Sequence, residues 1–93
     1  MNIQLLLNAI SDPTRRKIIK LLKKNNLSAG EISSNFDISA PAISRHLAIL
    51  QKANIVSQER IGKNIIYTLN ISVIDEILLL LNSIFTTNNS IEE

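Results

Sequence analysis

The stretch of residues 28–53 contains two helix starts separated by a gap that is only long enough for a turn. Ser28 and Glu31 have the spacing of a capping box, in which each side chain bonds a free backbone N–H at a helix start. Ser39 supplies a second cap, and Pro41 follows in the first turn, where a missing N–H costs no helical hydrogen bond. These signals predict two short helices joined by a tight turn.

The second of these helices has an apolar side and a polar side. Ile43, Leu47 and Leu50 recur at helical spacing and form the predicted buried stripe. At about 100° per residue, the opposite side carries small residues and two basic ones. Its members are Pro41, Arg45, Ala48 and Lys52, with Ala40 and Ser44 on the flanks. Such a face lets a helix approach a flat polar surface, as a helix in the DNA major groove does. A helical hairpin with an ordinary solvated face is the alternative.

Charge is distributed unevenly along the 93 residues, although the net charge is only +2. Residues 39–64 carry four basic side chains and one acidic one, whereas residues 65–93 carry four acidic side chains and none that is basic. A basic middle beside an acidic end suits a chain that meets phosphate with one region and keeps the other away. A merely solvated charge pattern is the alternative.

Several functional classes need residues that this chain lacks. Without cysteine, neither a disulfide framework nor a thiolate metal site can form. Two glycines make no phosphate-binding loop, and the one histidine has no plausible nucleophile beside it, so no enzyme is expected. With no export leader and no apolar run of about 18 residues, we expect a cytoplasmic protein that does not insert into a membrane.

Two further helices are predicted before this helix pair. Residues 3–10 are mostly apolar and leave little room for a solvent face, so this terminal helix needs a partner. Ser11, Asp12 and Pro13 then give a helix start, with a capping side chain and a proline at the first helical position. The second helix is expected to end near Asn25.

After the helix pair the apolar period changes from helical to alternating. Residues 55–61 and 64–69 are rich in β-formers and are separated by Gly62 and Lys63, a signal for a two-residue hairpin loop. A hairpin in this place is the wing of a winged helix. The residues at or near its tip are Arg60, Lys63 and Asn64. A plain edge hairpin with a charged tip is the alternative.

The last predicted helix, residues 70–87, has more apolar surface than one buried side needs. One stripe consists of Ile74, Ile77, Leu78, Leu81 and Phe85. Because a surface helix needs only one stripe, we expect this helix to pair with the first helix, including Leu5 and Leu6, and with its own copy in a twofold dimer. A membrane-lying helix is the alternative, but its polar face would carry Lys or Arg, and this one carries Asp75 and Glu76.

Together the elements predict a mainly α chain with a small β-hairpin, an α+β winged helix-turn-helix. The predicted order is ααααββα, with a dimer formed by the first and last helices. Residues 1–88 would form one domain for DNA binding and dimerisation, and residues 89–93 a flexible tail.

Four runs of the sequence resemble, in order and spacing, the ArsR family of small bacterial winged-helix repressors. They are AISDPTRRKIIKLL (9–22), SAGEIS (28–33), FDISAPAISRHLAIL (36–50) and ANIVSQERIGKNIIYTLN (53–70). The likeness covers roughly residues 5–80 and is closest to the cysteine-free autorepressors of that family. It implies a homodimer that binds an inverted-repeat operator in double-stranded DNA, often in its own promoter.

The resemblance also implies where this chain contacts DNA. The positions are Ser39 as the helix cap, Ala40, Pro41, Ser44 and Arg45 in the recognition helix, and Arg60, Lys63 and Asn64 in the wing. Ala40 and Pro41 have no side-chain donor, which shifts base readout to Ser44 and Arg45. His46 matches a histidine common in this helix and is expected to be structural or to face phosphate.

Many members of the family sense metals through cysteines or through histidine and carboxylate pairs on the last helix. Neither set is present here, so we expect no metal and no cofactor. The sequence therefore does not indicate which signal releases the protein from DNA. A sequestering protein partner is one possibility, and use of the winged helix as a protein-interaction adaptor is the alternative function.

Overall fold

A computed structural model of the protein describes residues 2–86 as five helices and three strands. The elements are α1 (Ile3–Ile10), α2 (Pro13–Lys24), β1 (Leu27–Ser28), α3 (Ala29–Ser33), α4 (Ala40–Lys52), β2 (Val56–Ile61), β3 (Asn64–Leu69) and α5 (Ile71–Phe85). The short strand β1, between α2 and α3, is absent from the predicted order ααααββα. The tail predicted at residues 89–93 lies outside the described residues.

The helix starts are capped where the sequence predicts. Ser28 Oγ accepts from the backbone N–H of Glu31 at 3.2 Å, and Glu31 Oε1 accepts from the N–H of Ser28 at 2.9 Å, which completes the capping box of α3. At the start of α4, Ser39 Oγ accepts from the N–H of Ala42 at 3.2 Å. The turn between α3 and α4 is therefore fixed at both sides by local side-chain bonds.

The end of α4 turns the chain into the sheet. Asn54 has a φ of 61°, the left-handed conformation that often follows a helix end. The N–H of Ile55 then bonds the carbonyl of Leu50 at 3.0 Å. The Asn70 side chain braces this turn, because its Nδ2 donates to the Asn54 carbonyl at 2.6 Å while its Oδ1 accepts from Ser57 Oγ at 3.3 Å. Asn70 precedes α5 but makes no side-chain capping bond to it.

The three strands form an antiparallel sheet in the order β1-β3-β2. β2 and β3 are a hairpin in which Ile61 faces Asn64 across the two-residue loop, and Gly62 has a φ of 63°. On the other side of β3, Leu27 of β1 faces Tyr67. The predicted hairpin is present, and the turn that links α2 to α3 joins its sheet as a third strand.

The core lies between α1, α2, α3, α4 and the base of the hairpin. Its side chains are no more than 3% exposed at Ile18, Leu22, Ile32, Ile43, Leu47, Leu50 and Ile55. The apolar stripe predicted for α4 is buried in full, which leaves the opposite side of the helix facing outwards.

The molecule is elongated, measuring 57 × 26 × 22 Å. The radius of gyration is 15.4 Å, whereas a compact chain of this length has about 12 Å. Only Ile77 of α5 is buried, at 7% exposed, while Val73, Ile74 and Leu81 pack against the core in part. None of the helices between residues 2 and 86 has the length and apolar character needed to cross a membrane.

The positive φ of Gly62 predicts that a larger residue at this position destabilises the protein. Replacing Gly62 with alanine should lower the free energy of unfolding by about 1–2 kcal/mol, because a side chain is strained in the left-handed region. Gly30 is the control, since a Cβ there would lie 3.9 Å from Ser28 Oγ. Because alanine is preferred over glycine inside a helix, Gly30→Ala should leave stability unchanged or raise it. Urea denaturation measures the free energy of unfolding of both variants. An equal change in the two variants would contradict the left-handed backbone conformation at Gly62.

Candidate nucleic-acid interface

The outer face of α4 is exposed along its whole length. The residues predicted for the DNA side of this helix, Ala40, Pro41, Ser44 and Arg45, are all exposed, as are Ala48 and Lys52. Within residues 2–86 the Arg45 guanidinium forms neither a hydrogen bond nor an ion pair, so all its donors are available to a ligand. Ser39 already accepts the capping bond but keeps its own O–H for donation.

The tip of the hairpin brings together the predicted wing residues. Arg60 lies near the end of β2, Lys63 lies in the loop, and Asn64 begins β3 opposite Ile61. The side chains of Arg60, Lys63 and Asn64 are exposed, as is that of Ile61. Two positive charges within four residues, on a hairpin whose loop is held by a glycine, form a small basic surface suited to phosphate.

Arg15 is a structural side chain beside the candidate interface, and the sequence analysis did not single it out. It is the only charged residue buried within residues 2–86, at 8% exposed. Its Nε donates to the Ala9 carbonyl at 2.8 Å and its Nη2 to the Asn8 carbonyl at 3.1 Å. Both carbonyls belong to the last turn of α1, where a helix favours a positive charge and needs donors. Arg15 therefore joins α1 to α2.

The third contact of Arg15 reaches the recognition helix. Its Nη1 lies 3.1 Å from Nδ1 of His46, a half-buried residue of α4. Because arginine can only donate, Nδ1 accepts, and the proton of the neutral imidazole is then on Nε2. His46 is thus held from the core side through Nδ1, and its predicted DNA contact stays a prediction for the Nε2 edge.

Asp12 completes this junction. Its Oδ2 accepts from the backbone N–H of Arg15 at 3.1 Å and lies 4.0 Å from Nδ1 of His46. Partial burial acts to raise the pKa of Asp12, but backbone N–H bonds from Arg15 and Thr14 and the charge of Arg15 outweigh it, so the pKa is lower than the ordinary 3.8. The carboxylate is therefore ionised at neutral pH.

The next two basic residues of α2 are also used inside the protomer. Arg16 Nη1 donates to the Ile10 carbonyl at 2.8 Å. Lys17 Nζ donates to the Asn35 carbonyl at 3.0 Å and lies 4.7 Å from the centre of the Phe36 ring. Three cations near a helix start, where the dipole disfavours positive charge, were the sequence signal that these side chains have partners elsewhere.

The side chains at this junction offer little to a metal ion. Zinc takes three or four ligands in protein sites. Nowhere in residues 2–86 do three His, Cys, Asp or Glu side chains come together in that way. Asp12 and His46 are close, but the third group beside them is the Arg15 guanidinium, a cation that would repel a metal.

Together, the exposed face of α4, the helix pair that presents it and the basic hairpin tip define a winged-helix DNA-binding protein. A sequence profile described as "Bacterial regulatory protein, arsR family" matches residues 12–58. The chain is 49% identical over 84 residues to the transcriptional repressor SdpR of Bacillus subtilis (strain 168), covering 89% of this chain and 93% of SdpR. The protein therefore belongs to the ArsR family and is a DNA-binding transcriptional regulator of the ArsR/SdpR repressor type.

Other relatives agree with this assignment. The transcriptional activator HlyU of Vibrio cholerae is 32% identical over 84 residues, which are 90% of this chain and 78% of HlyU. The solved structure of an ArsR-like transcriptional regulator from Rhodococcus sp. RHA1 has a TM-score of 0.83 at 27% identity, covering 88% of this chain and 75% of that one. The predicted family and winged-helix fold are confirmed, and the fold and relatives are those of regulators, not enzymes.

The three hydrogen bonds of Arg15 predict that its replacement destabilises the fold. Arg15→Lys keeps the charge but loses the planar fork that reaches three acceptors at once. The free energy of unfolding should fall by about 1–3 kcal/mol, because buried acceptors lose their donors. The matched control is Arg16→Lys, which is exposed and should change stability by about 0.5 kcal/mol or less. Chemical denaturation that finds both variants equally stable would contradict this role.

Proposed function

We propose that this protein is a homodimeric transcriptional repressor that binds an inverted-repeat operator, acts without a metal ion and represses its own gene. The exposed outer face of α4, where Arg45 forms no hydrogen bond or ion pair with residues 2–86, is the observation that carries the proposal. Membership of the ArsR family shows a DNA-binding regulator. To this we add the homodimer, the inverted-repeat operator and the control of its own gene.

DNA contacts are proposed at two places. Arg45 and Ser44 would read base edges in the major groove, because they are the exposed hydrogen-bonding side chains in the first half of α4. Arg60, Lys63 and Asn64 in the wing would contact the phosphate backbone, which positions the protein without reading sequence. Nε2 of His46 is a candidate donor to a nearby phosphate.

A second copy of the chain is the proposed partner for the outer face of α5. The exposed side chains here are large and apolar: Leu78 at 59%, Leu79 at 70%, Ile84 at 61% and Phe85 at 79%. On α1, Ile3 and Leu7 are exposed at 45% and 40%. Apolar surface of this kind is typical of an interface. A twofold dimer would present two α4 helices to half-sites about 34 Å apart, or a multiple of that, which is why the operator would be an inverted repeat.

Not every residue predicted for the dimer interface is free to reach a partner. Leu6 and Ile77 are 2% and 7% exposed in the single chain and belong to its own core. Leu5, Ile74 and Leu81 are half-buried and also pack on that core. The proposed interface therefore rests on Leu78 and Phe85 from the predicted set.

The proposed mode of control draws on the relatives and on side-chain chemistry. SdpR, which shares about half of the aligned residues, is named a repressor, whereas HlyU is named an activator. The absence of cysteine from the chain supports control without a metal. A protein that covers the DNA-binding surface or the α5 face would then release the operator.

The proposal is tested by binding of the purified protein to the DNA upstream of its own gene. A shuffled duplex is the control, and the titration is repeated across a salt series with and without zinc. We expect a preference of a hundredfold or so, a modest ratio for a specific regulator, with no effect of zinc. Equal, weak and salt-sensitive binding to both duplexes would contradict autoregulation and favour a role as a protein-interaction adaptor. Reporter expression that falls when the gene is deleted would contradict repression.

Three variants separate base readout from phosphate contact. Arg45→Ala should weaken binding to the upstream DNA roughly 5- to 150-fold and random DNA much less, because a bidentate base contact contributes about 1–3 kcal/mol of discrimination. Lys63→Ala should weaken both and flatten the salt dependence. Lys23→Ala, in the last turn of α2, removes the same charge outside the proposed interface and should change neither. An equal loss on both duplexes for Arg45→Ala would refute base readout.

The oligomeric state in solution tests the proposed homodimer directly. Analytical ultracentrifugation at micromolar concentration should give a species of twice the 10.4 kDa chain mass. Leu79→Ser combined with Phe85→Ser should weaken dimerisation by more than tenfold, since each buried side chain contributes about 1.5–3 kcal/mol. Ile61→Ser in the wing, where Ile61 is 56% exposed, is the control and should leave the dimer intact. A wild-type protein that sediments as a monomer at this concentration would contradict the proposed homodimer.

A further inference from the structure

The exposed face of α4 has few groups that can form hydrogen bonds. Between residues 40 and 48 the exposed side chains are Ala40, Pro41, Ser44, Arg45 and Ala48. Three of these five are apolar, and none of the three is larger than proline. The remaining polar residue of this half-helix, His46, is half-buried and engaged by Arg15 at 3.1 Å.

The apolar residues lie on both sides of the arginine. Pro41 precedes Arg45 by four residues and Ala48 follows it by three, so each is its direct neighbour on the helix surface. Ala40, the first residue of α4, extends the apolar part at the N-terminal end. A ligand that Arg45 binds is therefore flanked by methyl and methylene groups.

The neighbouring helix leaves this face open. A cleft of about 380 Å³ separates α3 from α4 and reaches Ala40 and Ser44. Its lining residues on the α3 side are Ala29, Gly30, Ser33 and Ser34. None has a side chain larger than that of serine, so a DNA duplex can come close to the start of α4 from this direction.

The chemistry of the major groove determines what such a face can recognise. Most base-edge groups there are hydrogen-bond donors or acceptors, and the C5 methyl of thymine is the apolar group. A polar base edge pressed against alanine or proline loses water without gaining a partner, which costs free energy. A thymine methyl pressed against the same residues gains apolar contact instead.

We propose that Pro41 and Ala48, with Ala40, make this protein select half-sites in which thymine methyls flank the base contacted by Arg45. The inference rests on the proposed DNA interface of α4. The half-site is read through these methyl groups together with the base contacts of Arg45 and Ser44, of which the Arg45 contact is of the guanine type. The Arg15–His46 contact supports this reading, because it ties α4 to two other helices, and short-range contacts require a helix held in place.

The probe is a duplex selected from a random-sequence library with the full-length protein. The selected sites should carry thymine on both sides of a guanine in each half-site. The same duplex is then synthesised with deoxyuridine at those thymines, which keeps base pairing and removes only the methyl. We expect about fourfold weaker binding for each thymine replaced, and no change when thymines outside the half-sites are replaced.

A variant of Ala48 tests whether this residue makes the contact with the thymine methyl. Ala48→Ser replaces an apolar contact with a hydroxyl that can donate to the thymine or uracil O4, so the loss caused by deoxyuridine should disappear at the position that Ala48 faces. Lys23→Ala should retain the full loss. Equal binding of the thymine and uracil duplexes overturns this inference but leaves the repressor intact. Failure to enrich any sequence overturns base readout by α4 and this inference with it.

Discussion

The buried guanidinium of Arg15 is the interaction on which the arrangement of the helices depends. A charge at 8% exposure is tolerated only when its donors are satisfied, and here they meet the end of α1 and His46 of α4. Asp12, at the start of α2, adds a carboxylate 4.0 Å from the same imidazole. The helix proposed to meet DNA and the helix that begins the exposed apolar surface are thus fixed to one side chain.

Around this junction the fold separates two kinds of surface. One carries basic charge, at Arg45 and Lys52 on the outer face of α4 and at Arg60 and Lys63 in the wing. The other is apolar and acidic, comprising α5 and part of α1, with Asp75 and Glu76 as its charged groups. Asp75 and Glu76 lie on α5, whereas Arg60 and Lys63 lie in the wing with one acidic neighbour, Glu59. The uneven charge along the sequence therefore falls on different elements of the fold.

Local signals allowed much of this to be predicted, and non-local contacts limited the rest. The caps at Ser28 and Ser39 and the loop at Gly62 depend on neighbouring residues, so the sequence alone indicated them. β1 is two residues long, too short for periodicity, and exists because Leu27 lies opposite Tyr67. The role of Arg15 likewise depends on packing, since His46 is 31 residues away. For α5, the pattern indicated excess apolar surface but not which side faces the core.

Asn70 leaves α5 in an unusual position. Its side chain holds the base of the wing to the end of α4 and gives α5 no side-chain cap. α5 is 15 residues long, which is about 22 Å at the standard rise, and Ile77 near its middle is its buried residue. Leu81 keeps the second half of the helix in contact with the core, whereas Ile84 and Phe85 in its last turn are 61% and 79% exposed. A shift of that last turn alone would therefore break few contacts within the protomer.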